Sequence, residues 1–293
     1  MRREDVQIRD PFVFLEDGIY YLCGTTDKDC WRGAATGFEA YTSTDLQSFE
    51  FKGKIFTPPE GFWGTQNFWA PELHKYNGSY YLFATFKSPE KRRATVILKA
   101  SSPLGPFLPW GADSITPTEW ECLDGTLYVD ENGEPWVVFC HEWVQEGGGT
   151  VCARRLKSDL SGADGEAVTL FAAADSAWTK KMHHSSGIDG HVTDGPFIHK
   201  MDNGSLLMLW SSHSASGYAI GQAVSQDGIL GPWVQADLPL FSGDGGHGMI
   251  FKDKNGVLRL AIHTPNKTPN ERPIFFPTEE HDGILRLKEA GQL

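Results

Sequence analysis

Asp10, Asp124 and Asp194 carry the most chemical promise in this chain. Each stands before Pro or Gly and opens a segment of similar plan: "DPFVFLEDG", "DGTLYVDENG" and "DGPFIHKMDNG". His247 opens a fourth, "HGMIFKDKNG". One aspartate before Gly or Pro is ordinarily a turn or cap residue. Three brought to one place would raise one another's pKa values, so that one carboxyl can act as acid while another acts as base. Beside aromatic side chains, such a pair suits hydrolysis of a glycosidic bond. One protonates the leaving oxygen and the other activates water, about 6.5–9.5 Å apart for inversion or about 5 Å for retention.

A repeat places these residues. Five segments run strand, turn, strand, starting at Asp10, Ala70, Asp124, Asp194 and His247. Their turns are Asp-Gly or Asn-Gly, the strongest short-range hairpin signal because those residues accept the positive φ of a type I′ turn. The turn glycines, Gly18, Gly78, Gly133, Gly204 and Gly256, follow the starting residues by eight, eight, nine, ten and nine positions. The starting residues therefore read as equivalent. After each hairpin a further stretch supplies two more strands, for example "YTSTDLQSFEFKGKIF" and "AVSQDGILGPWVQADLPLF". No long segment shows a 3.6-residue apolar period. The reading is an all-β chain, a five-bladed β-propeller with about four antiparallel strands per blade, spanning 1–293 as a single domain. A β-sandwich would not require five equivalent hairpins.

In a propeller the first residues of the inner strands emerge together on one face, and the second strands return to it. The rim then collects Asp10, Glu72, Asp124, Asp194 and His247 with the segments His141-Glu142-Trp143 and Ser211-Ser212-His213. Trp69, Glu72, His141, Trp143 and Ser212 are the candidates for substrate contacts; Trp31, Phe62 and Phe68 are further aromatic candidates for stacking on sugar. "KKMHHSSGIDGHVTDG" reads as a long inter-blade loop over the site rather than a metal motif.

The formal net charge of −12 argues against a nucleic-acid backbone or an anionic membrane as partner. Five scattered cysteines without a C-x-x-C read as buried free thiols. No apolar run is long enough to span a membrane. The charged start "MRREDVQIRD" has no apolar core of a signal peptide, which leads to a cytoplasmic expectation. G-x-S-x-G, P-loop and dinucleotide fingerprints do not occur in the sequence.

The segments "RDPFV", "NFWAPELHKYNGSYYLFAT", "LDGTLYVDENGEPWVVF", "VTDGPFIHKMDNGSLLMLWSS" and "GGHGMIF" resemble glycoside hydrolase family 43 over about residues 8 to 265. The resemblance implies a five-bladed propeller and an inverting hydrolase of terminal α-L-arabinofuranosyl or β-D-xylosyl residues in plant cell-wall oligosaccharides and polysaccharides. It implies Asp10 as general base, Asp124 as the carboxylate that tunes and orients the acid, and Asp194 as the acid. It also implies His247 near a channel cation, commonly calcium, with no organic cofactor. One departure stands out: the family's acid is usually a glutamate, and Asp194 is one methylene shorter. That leaves Glu72 or Glu142 as alternative acids. It also leaves a non-catalytic carbohydrate-binding propeller or a retaining propeller glycosidase as alternative functions.

Overall fold

A computed structural model describes residues 1–288. The chain forms five four-stranded antiparallel sheets, each from one contiguous stretch, and a short two-stranded ribbon. The inner strands are Arg9–Glu16, Gln66–Tyr76, Cys122–Val129, Asp194–Lys200 and Gly246–Lys252. They neighbour one another in a closed ring, first to second and onward to fifth and back to first. This is the five-bladed propeller. Among the described residues, helix is limited to Trp143–Glu146 and two short 3₁₀ turns, and no helix is long and apolar enough to cross a membrane.

The core lies between blades rather than at the axis. One apolar cluster joins blades 1 and 2 around Phe38, Phe56, Phe68 and Phe86. Others lie between blades 2 and 3, blades 3 and 4, and blades 4 and 5. Two-residue alternation explains this: a strand presents every second side chain to each face, and both faces of a blade are covered. Among the described residues the ring is closed by contacts between blade 5 and blade 1. Tyr20 meets Phe251 edge-on at 6.2 Å, the Ile8 N–H donates to the Glu271 carbonyl at 3.3 Å, and Arg9 pairs with Glu271 at 2.7 Å.

The five hairpins are of two kinds. Asp17-Gly18 and Asn77-Gly78 are two-residue loops with both residues at positive φ, the type I′ geometry expected for all five. The other three are five-residue loops, 130–134, 201–205 and 253–257. There the glycine N–H donates back three residues, to the carbonyls of Asp130, Met201 and Asp253, and only the glycine is left-handed. An aspartate at the loop start holds two of these loops: Asp130 and Asp253 each accept two backbone N–H bonds. This difference in loop length changes the count from each turn back to the other end of its inner strand.

Candidate active site

Every inner strand takes in an extra residue against its partner at the end nearest the site, and that of blade 2 takes in a second between Gln66–Lys87 and Trp69–Thr85. Pairing steps from Arg9–Thr25 to Phe12–Cys23 in blade 1 and from Trp69–Thr85 to Glu72–Phe83 in blade 2. It steps from Leu123–Cys140 to Thr126–Val138 in blade 3, from Asp194–Ser211 to Phe197–Leu209 in blade 4, and from Gly246–His263 to Met249–Ala261 in blade 5. The residue after the first pair is left-handed in all five: Asp10 at φ 53°, Ala70 at 45°, Asp124 at 58°, Gly195 at 51° and His247 at 44°. Such a bulge bends the strand and re-aims its side chains. Four of these five corners hold a non-glycine residue, and strained backbone of this kind collects at functional sites.

These corners correct the expected alignment. They lie eight residues before the turn glycine in the two-residue hairpins and nine before it in the longer ones. In blade 4 that count reaches Gly195, not Asp194. Asp194 occupies the place held by Arg9, Trp69, Leu123 and Gly246 in the other blades. Position 195 has no room for a side chain: a Cβ there would stand 2.6 Å from Cδ2 of His247.

Asp10, Asp124 and His247 form a buried cluster. His247 Nδ1 is 3.2 Å from Asp10 Oδ1 and 3.5 Å from Asp124 Oδ2. Burial works against a charge on this imidazole, but Asp10, Asp124 and Asp194 outweigh it and raise its pKa. Asp10 Oδ2 accepts a 2.6 Å bond from the Thr25 hydroxyl. Burial opposes ionisation of Asp10, yet the charges of His247 and Arg9 prevail and hold its carboxyl below the ordinary range. Beside it, the Asp10 N–H donates to Nδ1 of His263 at 3.1 Å, and Nε2 of His263 faces Asn266 Oδ1 at 3.3 Å. That pattern requires the neutral tautomer protonated on Nε2. Burial and the charge of Arg9 agree with it, pushing the His263 pKa down to about 3.

The opposite pair behaves differently. Burial, assisted by the neighbouring Asp194 and Asp10 charges, pushes the Asp124 carboxyl up to about 7. Burial also raises Asp194. The Asp194 charge contributes to the rise at Asp124, so the ionisation of one carboxyl bears on the other. Asp194 keeps solvent contact through the cavity, and its Oδ2 accepts the Tyr218 hydroxyl at 2.9 Å. A carboxyl ready to give a proton thus faces a carboxylate ready to take one.

A cavity of about 290 Å³ opens over these groups, with Asp10, Asp124, Asp194 and His247 at its base. Trp31 and Trp69 form one wall, meeting edge-on at 5.0 Å. Each carries a guanidinium: Arg9 lies 5.0 Å from the Trp31 ring and Arg93 lies 4.5 Å from the Trp69 ring. Trp143, Val192 and His213 line other parts of the cavity. Trp143 opens the short helix, and the ribbon Met182–His183 with Asp189–Gly190 packs on that helix, His184 standing edge-on to Trp143 at 5.7 Å.

Of the expected substrate contacts, Trp69 and Trp143 line the cavity; Glu72, His141 and Ser212 do not. Glu72 lies two residues past its corner, and its Oε2 is held by His74 Nε2 at 3.0 Å. His141 stacks on Trp120 at 4.4 Å and meets Gln145 at 3.0 Å. Ser212 is fully buried, and by strand alternation its neighbour His213 takes the cavity position. Phe62 and Phe68 are absorbed by the aromatic core of blades 1 and 2. As alternative acids, Glu72 is outside the cavity, and Glu142 lines it but is ion-paired with Arg93.

Three polar cavity residues, Tyr218, Asn266 and Thr268, carried no sequence signal, nor did Arg93 behind Trp69. Tyr218 comes from a third strand, and Asn266 and Thr268 follow blade 5's second strand. Arg93 ends the loop before blade 2's third strand, and its guanidinium reaches Asn67 Oδ1 at 3.2 Å as well as Glu142. Arg9 was readable: it precedes the first corner in the quoted Arg-Asp-Pro.

Nδ1 of His247 is turned to Asp10 and Asp124, which leaves Nε2 as the ring atom for the calcium expected beside it. Among the described residues, no three His, Cys, Asp or Glu side chains group so as to hold a metal ion.

Comparison with known proteins agrees with this architecture. An endo-arabinase structure from Bacteroides thetaiotaomicron VPI-5482 is 42% identical, with 97% of this chain and 98% of that one covered and a TM-score of 0.90. Extracellular endo-α-(1→5)-L-arabinanase 1 of Bacillus subtilis is 26% identical over 146 residues, 46% of this chain and 44% of the relative. α-L-Arabinofuranosidase 43 of Humicola insolens is 24% identical over 289 residues, 88% of this chain and 54% of the relative. The chain thus covers about half the length of these two sequence relatives. Residues 5–283 match the Glycosyl hydrolases family 43 profile, and with the five-bladed ring and its central carboxylates already described, the chain belongs to that family of glycoside hydrolases.

Proposed function

We propose that this protein hydrolyses α-L-arabinofuranosyl bonds within arabinan chains, by inversion. The observation that carries the reading is the opposed protonation of the two sides of the cavity base. His247 and Arg9 lower the pKa of Asp10, while burial raises those of Asp124 and Asp194. The 42% identity to an endo-arabinase over nearly the full length of both chains favours arabinan over xylan as substrate. It also favours internal bonds over the terminal residues expected from the sequence.

In the proposed reaction a sugar ring sits over the cavity base, against Trp69 or Trp143. Asp10 removes a proton from water as its oxygen attacks the anomeric carbon. Asp194 delivers its proton to the leaving glycosidic oxygen, and the carbon–oxygen bond breaks. Asp124 shares that proton before the reaction and accepts the Gly195 N–H at 3.1 Å, which ties it to the backbone beside Asp194. Thr25 and His247 fix the two oxygens of Asp10 from different sides. Tyr218 holds Asp194 from its own blade, which compensates for the shorter side chain by orienting it. Glu142, its charge offset by Arg93, supplies a polar part of the wall.

Incubation with linear 1,5-arabinan tests the reading. Internal cleavage gives a ladder of arabino-oligosaccharides, and proton NMR of the first products shows the inverted anomer. Arabinose as sole early product would move the assignment to terminal attack. A retained anomer would remove Asp10 from the role of base. No turnover of any arabinoside would leave a carbohydrate-binding propeller.

A further inference from the structure

The five corners share a second feature. Each left-handed residue has its N–H turned back toward the preceding blade. The Ala70 N–H donates to the Thr25 hydroxyl at 2.8 Å, and the Asp124 N–H to the Thr85 hydroxyl at 2.9 Å. The His247 N–H donates to the Ser211 hydroxyl at 2.8 Å, and the Asp10 N–H to His263 Nδ1 at 3.1 Å. Thr25, Thr85, Ser211 and His263 occupy one register position, the second-strand partner of the residue before the bulge. In blade 3 that position is Cys140, opposite Leu123. A thiol is a weak acceptor. Here alone the corner N–H, that of Gly195, goes to a carboxylate, Asp124 Oδ2.

We infer that Cys140 is a positioning residue: by denying the Gly195 N–H a hydroxyl acceptor, it directs that N–H to Asp124 and so locks the blade 3 carboxylate beneath Asp194. The inference rests on the proposed roles of Asp124 and Asp194. Cys140 itself does not touch substrate. It is fully buried in the apolar cluster between blades 3 and 4, with its thiol beside Thr193. A hydroxyl at this position would complete the five-fold set of strong acceptors and release Asp124 from blade 4. Thr25 shows what a hydroxyl does there: it accepts the next blade's N–H while giving its own proton to Asp10.

Cys140→Ser and Cys140→Ala separate this role from packing. Alanine removes more volume but offers no acceptor; serine removes less and offers one. Loss of one oriented hydrogen bond to a charged group predicts about a tenfold fall in kcat for Cys140→Ser on arabinan oligosaccharides, against less than about threefold for Cys140→Ala. The serine variant should lose less on 4-nitrophenyl α-L-arabinofuranoside, whose leaving group needs little acid assistance. A packing role predicts the reverse order, alanine falling further, and that order or equal rates would overturn the inference. A crystal structure of Cys140→Ser provides a readout independent of activity. The Gly195 N–H should donate to the introduced hydroxyl and separate from Asp124 Oδ2; persistence of the Gly195–Asp124 bond would overturn the inference whatever the rates. If wild type turns over no arabinoside, the hydrolase reading fails, while the crystal structure still decides whether Cys140 governs the Gly195 N–H.

Discussion

The blade 1 side and the blade 3–4 side of the cavity use the same residue type for opposite ends. Asp10 and Asp124 are both buried, both left-handed and both next to His247. They differ in company. Asp10 has Arg9 beside it, a hydroxyl donor in Thr25 and the nearer approach to His247. Asp124 has another carboxyl, Asp194, and one backbone N–H. Burial penalises both charges, and only on the blade 1 side do cations overcome it. One fold element, repeated, thus lowers a carboxyl's pKa on one side and raises it on the other because the neighbouring blades contribute different charges.

The comparison breaks first at substitution. Asp10→Asn should lower kcat roughly a thousandfold on arabinan oligosaccharides and on 4-nitrophenyl α-L-arabinofuranoside alike, since both need an activated water. Asp194→Asn should lower the natural rate by roughly the same factor yet cost only about tenfold on the nitrophenyl substrate. Equal losses on both substrates for Asp194→Asn would take the acid role away from it. Steady-state kinetics on the two substrate classes measure both.

The pH profile sharpens the contrast. Activity requires Asp10 ionised, so it should fall as pH drops through that group's lowered pKa. It also requires the proton of the Asp124–Asp194 pair, so kcat/KM should fall as pH rises through about 7. A profile still rising above pH 8 would contradict a shared proton there.

Stability should move the other way. A carboxyl whose pKa is raised by folding stabilises the folded state fully below the ordinary carboxyl range, and that contribution is lost as pH rises through about 7. Asp10, with a lowered pKa, contributes stability above the ordinary carboxyl range that is lost as pH falls through its folded value. Asp124→Asn, neutral at every pH, should therefore raise Tm at pH 8 by about 3 °C while lowering activity, and should give little or no rise at pH 4. Thermal melts at the two pH values test this. The smallest expected effect is from chelation: dialysis against EDTA should change kcat by less than about twofold, because among the described residues no three His, Cys, Asp or Glu side chains group so as to hold a metal ion. A larger loss restored by calcium would place an ion in the channel.

Much of this was legible because it is local. Asp-Gly and Asn-Gly turns between alternating apolar runs mark hairpins by chain chemistry alone, and five of them at similar spacing imply a ring. That put Asp10, Asp124 and His247 on one face and Trp69 and Trp143 near them. The one-residue error at Asp194 was hidden by loop length: the five-residue loops move the count from eight to nine in three blades, and that variation masks the further residue in blade 4, where the aspartate precedes the corner. Glu72, His141 and Ser212 failed as cavity residues because proximity in sequence to a rim strand does not say which face a side chain takes once a bulge has reset the alternation.

The sequence by itself determined a five-bladed all-β ring and the carboxylates at its centre, since turn propensity and two-residue periodicity act within a few residues. Tertiary structure alone decided which carboxyl keeps its proton. Arg9, Tyr218, Arg93 and Cys140 act on residues from other blades or other strands, and charge and burial depend on distance in space, which chain order does not encode.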